Sequence, residues 1–271
     1  TSHTAIIARS LGIPAIVGLR DITSSCASGD SVIIDGFSGR VYLQPTSGQV
    51  RLHREYQRQH RELTEDIEFF IHLASETRDG HRVKLCANIE TVAEIESVAR
   101  YGAEGIGLYR SEFDFFRSQG LPDEDILYDV YRQLLTALEP LPVTIRTLDI
   151  GGDKFSVNFS VSSLRLDAQR NPALGLRSIR YCLQEQVIFK RQLRAMLRAS
   201  VHGNLRILFP MISSLTEYDM VREVYQQVLH ELSEEHIAVA ADVRLGIMIE
   251  VPSAVIMADA LAGEVDFFSI G

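Results

Sequence analysis

The fold class is decided by the stretch Arg244-Leu245-Gly246-Ile247-Met248-Ile249-Glu250-Val251-Pro252, which contains a short apolar run followed by a carboxylate. A short, continuously apolar run is typical of a strand buried on both faces of a parallel sheet. Comparable segments occur at 84–90, 105–112, 143–150, 204–212 and 266–271. The sequence between most of them has the spacing of apolar residues that is typical of helices. This alternation of strand and helix predicts an α/β protein whose parallel sheet is covered by helices.

The number of these segments indicates which parallel fold they form. A complete (β/α)8 barrel contains eight strand–helix units in about 250 residues. The chain offers six candidate strands between Lys84 and Gly271. We therefore predict an incomplete (β/α)8 TIM barrel at residues 81–271, truncated after about six strands.

The first part of the chain has a different pattern. Residues 3–11 have helical character, and the helix is expected to stop at Gly12. Two short apolar segments, 32–36 and 40–43, flank a turn and predict a hairpin. Residues 1–48 are therefore expected to be the end of a small α/β domain.

A charged segment connects the two parts. Residues 50–79 are rich in Arg, His, Glu and Gln, and their apolar residues are spaced by three, four and seven. This spacing predicts an amphipathic helix with a solvated face, ended by Gly80. We interpret residues 49–80 as a helical linker.

Composition excludes several classes of protein. The net charge of −9 and the pI near 5.4 argue against a surface for nucleic acid or for an acidic membrane, which clustered cations would hold. No apolar run reaches the roughly 18–20 residues that span a bilayer, so no membrane insertion is expected. Cys26, Cys86 and Cys182 lack the short spacing of a zinc or redox motif, and reduced thiols in a cytoplasmic protein are expected.

Charged residues gather at the predicted carboxyl ends of the strands, where barrel enzymes keep their sites. Two of these strands run into Tyr109-Arg110-Ser111-Glu112 and Arg146-Thr147-Leu148-Asp149, and Arg177 and Arg180 open a predicted helix. Because a guanidinium holds phosphate or carboxylate oxygens bidentately, these residues suggest an anionic substrate. For any one of these arginines a structural salt bridge remains the alternative.

Two further residues could carry chemistry. Glu250 follows an apolar strand, and a carboxylate there can coordinate Mg²⁺ together with substrate oxygens and water; a purely structural role is the alternative. His3 precedes a predicted helix whose amino end would stabilise a phosphoryl group on the imidazole. The alternative for His3 is a helix cap or a disordered end.

These motifs carry a family resemblance. The segments Thr1-Ser2-His3-Thr4-Ala5-Ile6-Ile7-Ala8-Arg9 and Gly12-Ile13-Pro14-Ala15-Ile16-Val17-Gly18 resemble the phosphohistidine segment of phosphoenolpyruvate-utilising enzymes. Residues 105–113, 146–154 and 246–252 are similar to enzyme I of the bacterial sugar phosphotransferase system. The resemblance covers nearly the whole chain and rests on four motifs in order.

The resemblance implies phosphoryl transfer from phosphoenolpyruvate to His3, and then to a histidine of the carrier protein HPr, in the sugar or the nitrogen-regulatory phosphotransferase system. It implies that Arg110 and Arg146 hold phosphoenolpyruvate, that Arg177 assists, and that Glu250 is a Mg²⁺ ligand. It also implies that the small first domain is a swivelling phosphohistidine domain, and that the parent protein is a homodimer.

The chain departs from the family pattern at both ends. The helical carrier-binding domain, a Thr-Asn-Asp segment that supplies a second metal ligand, and a later cysteine are not found, so a fragment with weak stability and no activity of its own is expected. Two alternatives stay open. The parent could be a pyruvate phosphate dikinase or phosphoenolpyruvate synthase, or the chain could be a catalytically incomplete phosphate-binding module.

Overall fold

The structure is a computed structural model of the chain. It describes residue 8 and residues 12–71, 73–117, 121–150 and 175–271. The chain divides into two compact units, residues 1–82 with 100–102 and residues 83–99 with 103–271.

The first unit contains the predicted hairpin. Strands β1 (Val32–Asp35) and β2 (Arg40–Leu43) pair antiparallel. The carboxylate of Asp35 accepts hydrogen bonds from the backbone N–H groups of residues 37 and 38, which stabilises the turn. A short helix, α1 (Ile22–Ser25), precedes the hairpin. The prediction of a hairpin in this segment is confirmed.

The predicted helix at 3–11 falls mostly outside the described residues. Ala8 is helical, and its carbonyl accepts a hydrogen bond of 2.8 Å from the N–H of Ile13. Gly12 has a φ of +64°, the left-handed conformation common just after a helix. The described residues therefore agree with a helix that stops at Gly12. His3 lies outside the described residues.

The linker helix is shorter than the sequence predicts. Helix α2 runs from Ser47 to Phe70 and begins with a capping box of Thr46 and Gln49. The prediction that it continues to residue 79 is wrong. The N–H of Gly80 instead donates to the carbonyl of Thr77, and Gly80 has a φ of +83°, so this glycine belongs to a separate tight turn.

The second unit is built on one parallel sheet. Its six strands are β3 (Ala87–Ile89), β4 (Ile106–Arg110), β5 (Pro142–Arg146), β6 (Asn204–Phe209), β7 (Arg244–Ile249) and β8 (Phe267–Ile270). They lie side by side in chain order, and each neighbouring pair is parallel. All six predicted strands are confirmed. Each observed strand lies within its predicted segment, except that β5 begins one residue before it.

This strand order identifies the sheet as part of a barrel. A doubly wound sheet reverses its strand order at one point, whereas the strands of a (β/α)8 barrel follow one another around the axis. The connecting helices are α3 (Ile95–Arg100), α4 (Glu112–Arg117), α5 (Glu124–Leu138), α6 (Ser178–Gln184), α7 (Gln186–Ala199), α8 (Leu215–Glu234), α9 (Pro252–Ile256) and α10 (Ala258–Ala262). The prediction of an incomplete (β/α)8 barrel is confirmed.

The core of this unit lies between the sheet and its helices. Strand residues such as Ile145 and Ile207 are fully buried, as are Leu134 of α5 and Leu193 of α7. Apolar burial of this kind is the main favourable term in folding. Because all six strands are parallel, their carboxyl ends meet at one edge of the sheet. Within the described parts of the chain, no helix is both long and apolar enough to cross a membrane.

Candidate functional site

The first charged pair of the site joins two neighbouring strands. Arg110 is the last residue of β4, and Glu90 directly follows β3. Arg110 Nη1 donates a hydrogen bond of 2.8 Å to Glu90 Oε1. Both side chains are more than a third exposed, so solvent screens this pair and its contribution to stability is small. Arg110 therefore remains accessible at the strand ends.

Arg146 is the most enclosed arginine of the site. It is the last residue of β5, and only 12% of its side chain is exposed. Its Nη2 donates to Glu112 Oε1 at 2.7 Å, and its Nη1 lies 3.1 Å from Asp149 Oδ2. Its Nε is buried and has no hydrogen-bond partner among the described residues. A buried guanidinium nitrogen without an acceptor is unfavourable, so this atom is suited to an anionic ligand.

Arg177 approaches the same carboxylate from another element. It stands at the N-cap position of α6, and its Nη2 donates to Asp149 Oδ1 at 3.3 Å. The next residue, Ser178, has a φ of +53°, and its N–H donates to the carbonyl of Ile150. This contact ties the start of α6 to the chain that leaves β5. Arg177 Nε is also buried without a partner among the described residues.

Asp149 therefore bridges two arginines. One of its carboxylate oxygens faces Arg146 and the other faces Arg177, while its backbone N–H donates to Glu112 Oε1 at 3.2 Å. Arg180, which was also considered for the site, is instead engaged by Glu217, at 2.9 Å. The structure thus brings Arg146 and Arg177 together through a shared carboxylate.

Glu250 follows β7, as the sequence predicts. Its Oε1 accepts a hydrogen bond of 2.7 Å from the N–H of Met211, which lies beyond the end of β6 with a φ of +59°. The carboxyl forms no salt bridge with any described residue. Partial desolvation raises the pKa of Glu250, an effect that the Met211 N–H opposes. The charges of Arg146 and Arg177 also oppose this rise, so the carboxyl lies within the electrostatic field of both arginines.

The fit to a metal ion is limited to this one carboxylate. Among the residues that the structure describes, no group of three or more His, Cys, Asp and Glu side chains could hold a metal ion. Mg²⁺ commonly takes only one or two protein carboxylates and completes its shell with substrate oxygens and water. Glu250 therefore fits as one oxygen ligand, and no complete protein cage is present in the described part.

Burial also affects Glu112. Desolvation raises the pKa of its carboxyl above the ordinary value, and the charge of Arg146 opposes this rise. The Asp149 carboxylate adds to the rise, because two negative groups close together disfavour each other. The carboxylates of Glu112 and Asp149 thus lie close to the Arg146 guanidinium, and all three side chains are largely shielded from solvent. Such an environment strengthens electrostatic contacts with a ligand.

Sequence reasoning located most of this site but not all of it. Arg110, Arg146, Arg177 and Glu250 all stand at the predicted edge of the sheet. Glu90 was not identified, although its place directly after β3 is the same signal that marked Glu250. Each of the three arginines also has a carboxylate partner, so the salt bridges considered as alternatives are present.

Comparison with known proteins identifies the family. Residues 65–271 match the model described as PEP-utilising enzyme, PEP-binding domain, and residues 1–39 match the model described as PEP-utilising enzyme, mobile domain. PEP here is phosphoenolpyruvate.

Three curated relatives carry the name phosphoenolpyruvate-protein phosphotransferase. The relative from Bacillus sp. (strain S) is 43% identical over 271 residues, and that from Bacillus subtilis (strain 168) is 43% identical over 274 residues. The relative from Staphylococcus carnosus (strain TM300) is 42% identical over 271 residues. The alignments cover 100% of this chain and 46%, 47% and 46% of the three relatives.

The chain thus spans about half the length of these curated relatives. The match to the binding-domain model covers most of the chain, including every strand of the parallel sheet. The chain belongs to the family of phosphoenolpyruvate-utilising enzymes.

Proposed function

We propose that the protein containing this chain transfers the phosphoryl group of phosphoenolpyruvate to His3, and from there to an HPr-type carrier protein. The names of the relatives support this proposal over a pyruvate phosphate dikinase or phosphoenolpyruvate synthase. The observation that carries it is the partly buried bridge of Arg146, Asp149 and Arg177. Both arginines keep an Nε donor without an acceptor in the described part of the chain.

The substrate has two anionic groups for these donors. Phosphoenolpyruvate carries a carboxylate and a phosphate, and a guanidinium binds either group through paired N–H donors. We propose that Arg110, Arg146 and Arg177 hold these groups at the carboxyl edge of the sheet. Their side chains are 43%, 12% and 30% exposed, so each can reach a ligand without being fully solvated.

The proposed reaction replaces one bond to phosphorus with another. The bond between phosphorus and the enol oxygen breaks, and a bond between phosphorus and an imidazole nitrogen of His3 forms. The enolate of pyruvate leaves with the electron pair and takes up a proton. Because phosphoryl transfer depends mainly on alignment and charge neutralisation, the arginines supply what this step requires. In the second transfer a carrier histidine replaces His3.

We propose Mg²⁺ as the cation at Glu250. Its carboxylate would provide one oxygen ligand, and the Met211 N–H fixes the orientation of that carboxylate. When bound, a divalent cation neutralises charge on the phosphate oxygens. Asp149 interacts electrostatically with Glu250, and the charges of Arg146 and Arg177 act on the same carboxyl in the opposite direction.

The organisation of the protein is proposed on the same basis. Residues 1–48 would be the end of the swivelling phosphohistidine domain, residues 49–80 the helical linker, and residues 81–271 the binding barrel. We expect a cytoplasmic protein, with a homodimeric parent and no role in binding nucleic acid. The net charge of −9 supports the last expectation, since phosphate backbones require clustered cations.

The proposal is tested by phosphorylating the full gene product with phosphoenolpyruvate and Mg²⁺. Mass spectrometry under alkaline conditions should find phosphohistidine at His3, and addition of an HPr-type carrier should remove it. His3→Ala should abolish the label, whereas His81→Ala, a change at an exposed turn residue, should leave it unchanged. Label on another histidine, or none at any Mg²⁺ concentration, would contradict the proposal.

A further inference from the structure

We infer that Gln192, a buried residue of α7, is a positioning residue for the proposed phosphoenolpyruvate site. It acts by holding the carboxyl ends of β4 and β5 in fixed relation to each other. The inference rests on the proposed function, and it assigns a role to a helix residue that would not touch the substrate.

Gln192 is fully buried, and both the oxygen and the nitrogen of its amide are hydrogen-bonded. Its Oε1 accepts a hydrogen bond of 2.9 Å from the backbone N–H of Leu148. Its Nε2 donates to Ser111 Oγ at 2.9 Å and to the Tyr131 hydroxyl at 3.2 Å. One side chain thereby contacts the chain beyond β4, the chain beyond β5 and helix α5.

The two loop contacts lie next to the charged residues of the site. Ser111 stands between Arg110 and Glu112, and its hydroxyl donates to the carbonyl of Arg146 at 2.8 Å. Leu148 directly precedes Asp149, the carboxylate that bridges Arg146 and Arg177. We call Gln192, Ser111 and Leu148 the Gln192 clamp. The clamp connects both backbone segments that carry the enclosed ion pairs.

The chemistry of the amide explains why this position is polar. Its neighbours on the core-facing side of α7, Phe189, Leu193 and Met196, are apolar and fully buried. Burying an amide in such surroundings is unfavourable unless every donor and acceptor is satisfied. An apolar side chain would fill the space but could not bond a backbone N–H and a hydroxyl at once. A satisfied buried amide instead specifies one relative arrangement of the two strand ends.

Arginine–carboxylate geometry makes such positioning relevant to binding. Bidentate recognition requires donors placed within a fraction of an ångström and about 10–20° of the productive geometry. Loosening Leu148 would let the Asp149 carboxylate move relative to Arg146. Loosening Ser111 would release the contact to the Arg146 carbonyl. We therefore expect variants that lack the clamp contacts to bind phosphoenolpyruvate more weakly even under conditions in which they are fully folded.

The first test uses hydrogen exchange without any ligand. The reporter is the backbone N–H of Asp149, which bonds Glu112 Oε1 rather than any atom of Gln192. In Gln192→Met this N–H should exchange about tenfold faster relative to the buried α8 amides of Val224 and Val228. The control Gln227→Met, an exposed change within α8, should show no difference. An unchanged Asp149 rate in folded Gln192→Met would overturn the inference.

The second test measures affinity for phosphoenolpyruvate by calorimetry, in the full gene product and well below the midpoint of thermal unfolding. We expect Gln192→Met to bind about tenfold more weakly, with Gln227→Met unchanged. A residue that only stabilises the fold would lower the unfolding temperature without altering this affinity. Equal affinity in the wild type and in folded Gln192→Met would therefore overturn the inference.

Ser111→Ala keeps the inference testable if Gln192→Met does not fold. This variant removes one clamp contact while Gln192 still bonds Leu148, and it should accelerate Asp149 exchange and weaken binding less strongly. If both variants fold, their effects should be less than additive, because the two residues share one contact. Full additivity, or no effect of Ser111→Ala, would contradict the clamp.

Wild-type protein that binds no phosphoenolpyruvate would refute the proposed function instead, and the exchange measurement would still decide whether the clamp holds the strand ends.

Discussion

Arg146 Nη2 donates a hydrogen bond of 2.7 Å to Glu112 Oε1, so the arginine is paired without any ligand. Arg146 ends β5 and Glu112 begins α4, directly beyond β4, and both side chains are less than a fifth exposed. The pair therefore fixes the guanidinium before an anion arrives. Preorganisation of this kind reduces the conformational entropy lost on binding.

Replacing Arg146 by Lys should impair binding even though the positive charge is kept. Lysine cannot bond Glu112 and Asp149 through a planar fork, and it lacks an equivalent of the unpaired Nε. We expect the affinity for phosphoenolpyruvate to fall at least about tenfold, or about 1.4 kcal/mol. Calorimetry on Arg146→Lys provides the measurement. Arg132→Lys, which alters an exposed pair with Asp129, is the control and should bind normally. Equal affinities for the two variants would remove Arg146 from the site.

Glu112 should give the protein a recognisable dependence on pH. Its folded-state pKa is raised, mainly by desolvation, so the folded protein binds a proton more tightly than the unfolded chain does. Its contribution to stability is therefore greatest below the ordinary value of 4.5 and decreases as pH rises through the folded-state pKa.

The variant Glu112→Gln cannot ionise and should lack this contribution. Relative to the wild type, its free energy of unfolding should rise between pH 4 and neutrality, by about 1.4 kcal/mol for each unit of the pKa rise. Urea unfolding across this range measures the difference. A difference that decreases with pH would mean that the attraction of Arg146 outweighs desolvation, and a constant difference would mean that the two effects cancel.

The strand pattern made the sheet predictable because buried parallel strands are almost continuously apolar. Arg244–Ile249 and Asn204–Phe209 illustrate this, and the residue after such a run necessarily lies at the sheet edge. That rule placed Glu250 correctly. The same local reasoning set the end of helix α2 at Gly80, whereas the helix stops at Phe70. A glycine such as Gly80 can end a helix or lie in a turn. Here it lies in a turn, which the hydrogen bond from its N–H to the Thr77 carbonyl and the bond between the Thr77 and Asp79 side chains stabilise.

Gln192 shows what local patterns could not supply. A single polar residue within a helix is usually assigned to the solvent face, and nothing near it in sequence indicates that it meets Leu148 and Ser111. These contacts join residues more than forty positions apart and exist only after the strands have paired. The pairing of Arg177 with Asp149 likewise depends on tertiary structure. Sequence identified the charged groups but not which of them would be partners.

Gly105 should tolerate no side chain, because the sheet approaches it closely. Its φ is +139°, and an added Cβ would lie 2.4 Å from the carbonyl oxygen of Pro142, at the start of the neighbouring strand β5. We expect Gly105→Ala to lower the free energy of unfolding by at least about 2 kcal/mol. Gly263→Ala is the control, since its added Cβ would be 3.7 Å from the nearest carbonyl oxygen and its φ is −75°. Thermal unfolding followed by circular dichroism compares the two. Similar midpoints would show that β4 and β5 can separate at this point.

Glu250 should have opposite effects on metal binding and on the stability of the metal-free protein. Partial desolvation raises its pKa, so its ionised form is disfavoured in the folded state at neutral pH. Glu250→Gln keeps an oxygen that can accept the Met211 N–H but removes this charge. The metal-free variant should therefore be slightly more stable than the wild type at pH 7, while its affinity for Mg²⁺ should fall at least about tenfold because a charged oxygen ligand is lost.

Unfolding temperatures measured with a chelator and across a Mg²⁺ titration separate the two effects. Glu264→Gln, a change in an exposed pair with Arg222, should leave the response to Mg²⁺ intact. If Glu250→Gln and Glu264→Gln respond to Mg²⁺ alike, Glu250 is no metal ligand, and the cation for the proposed transfer must be held by other groups.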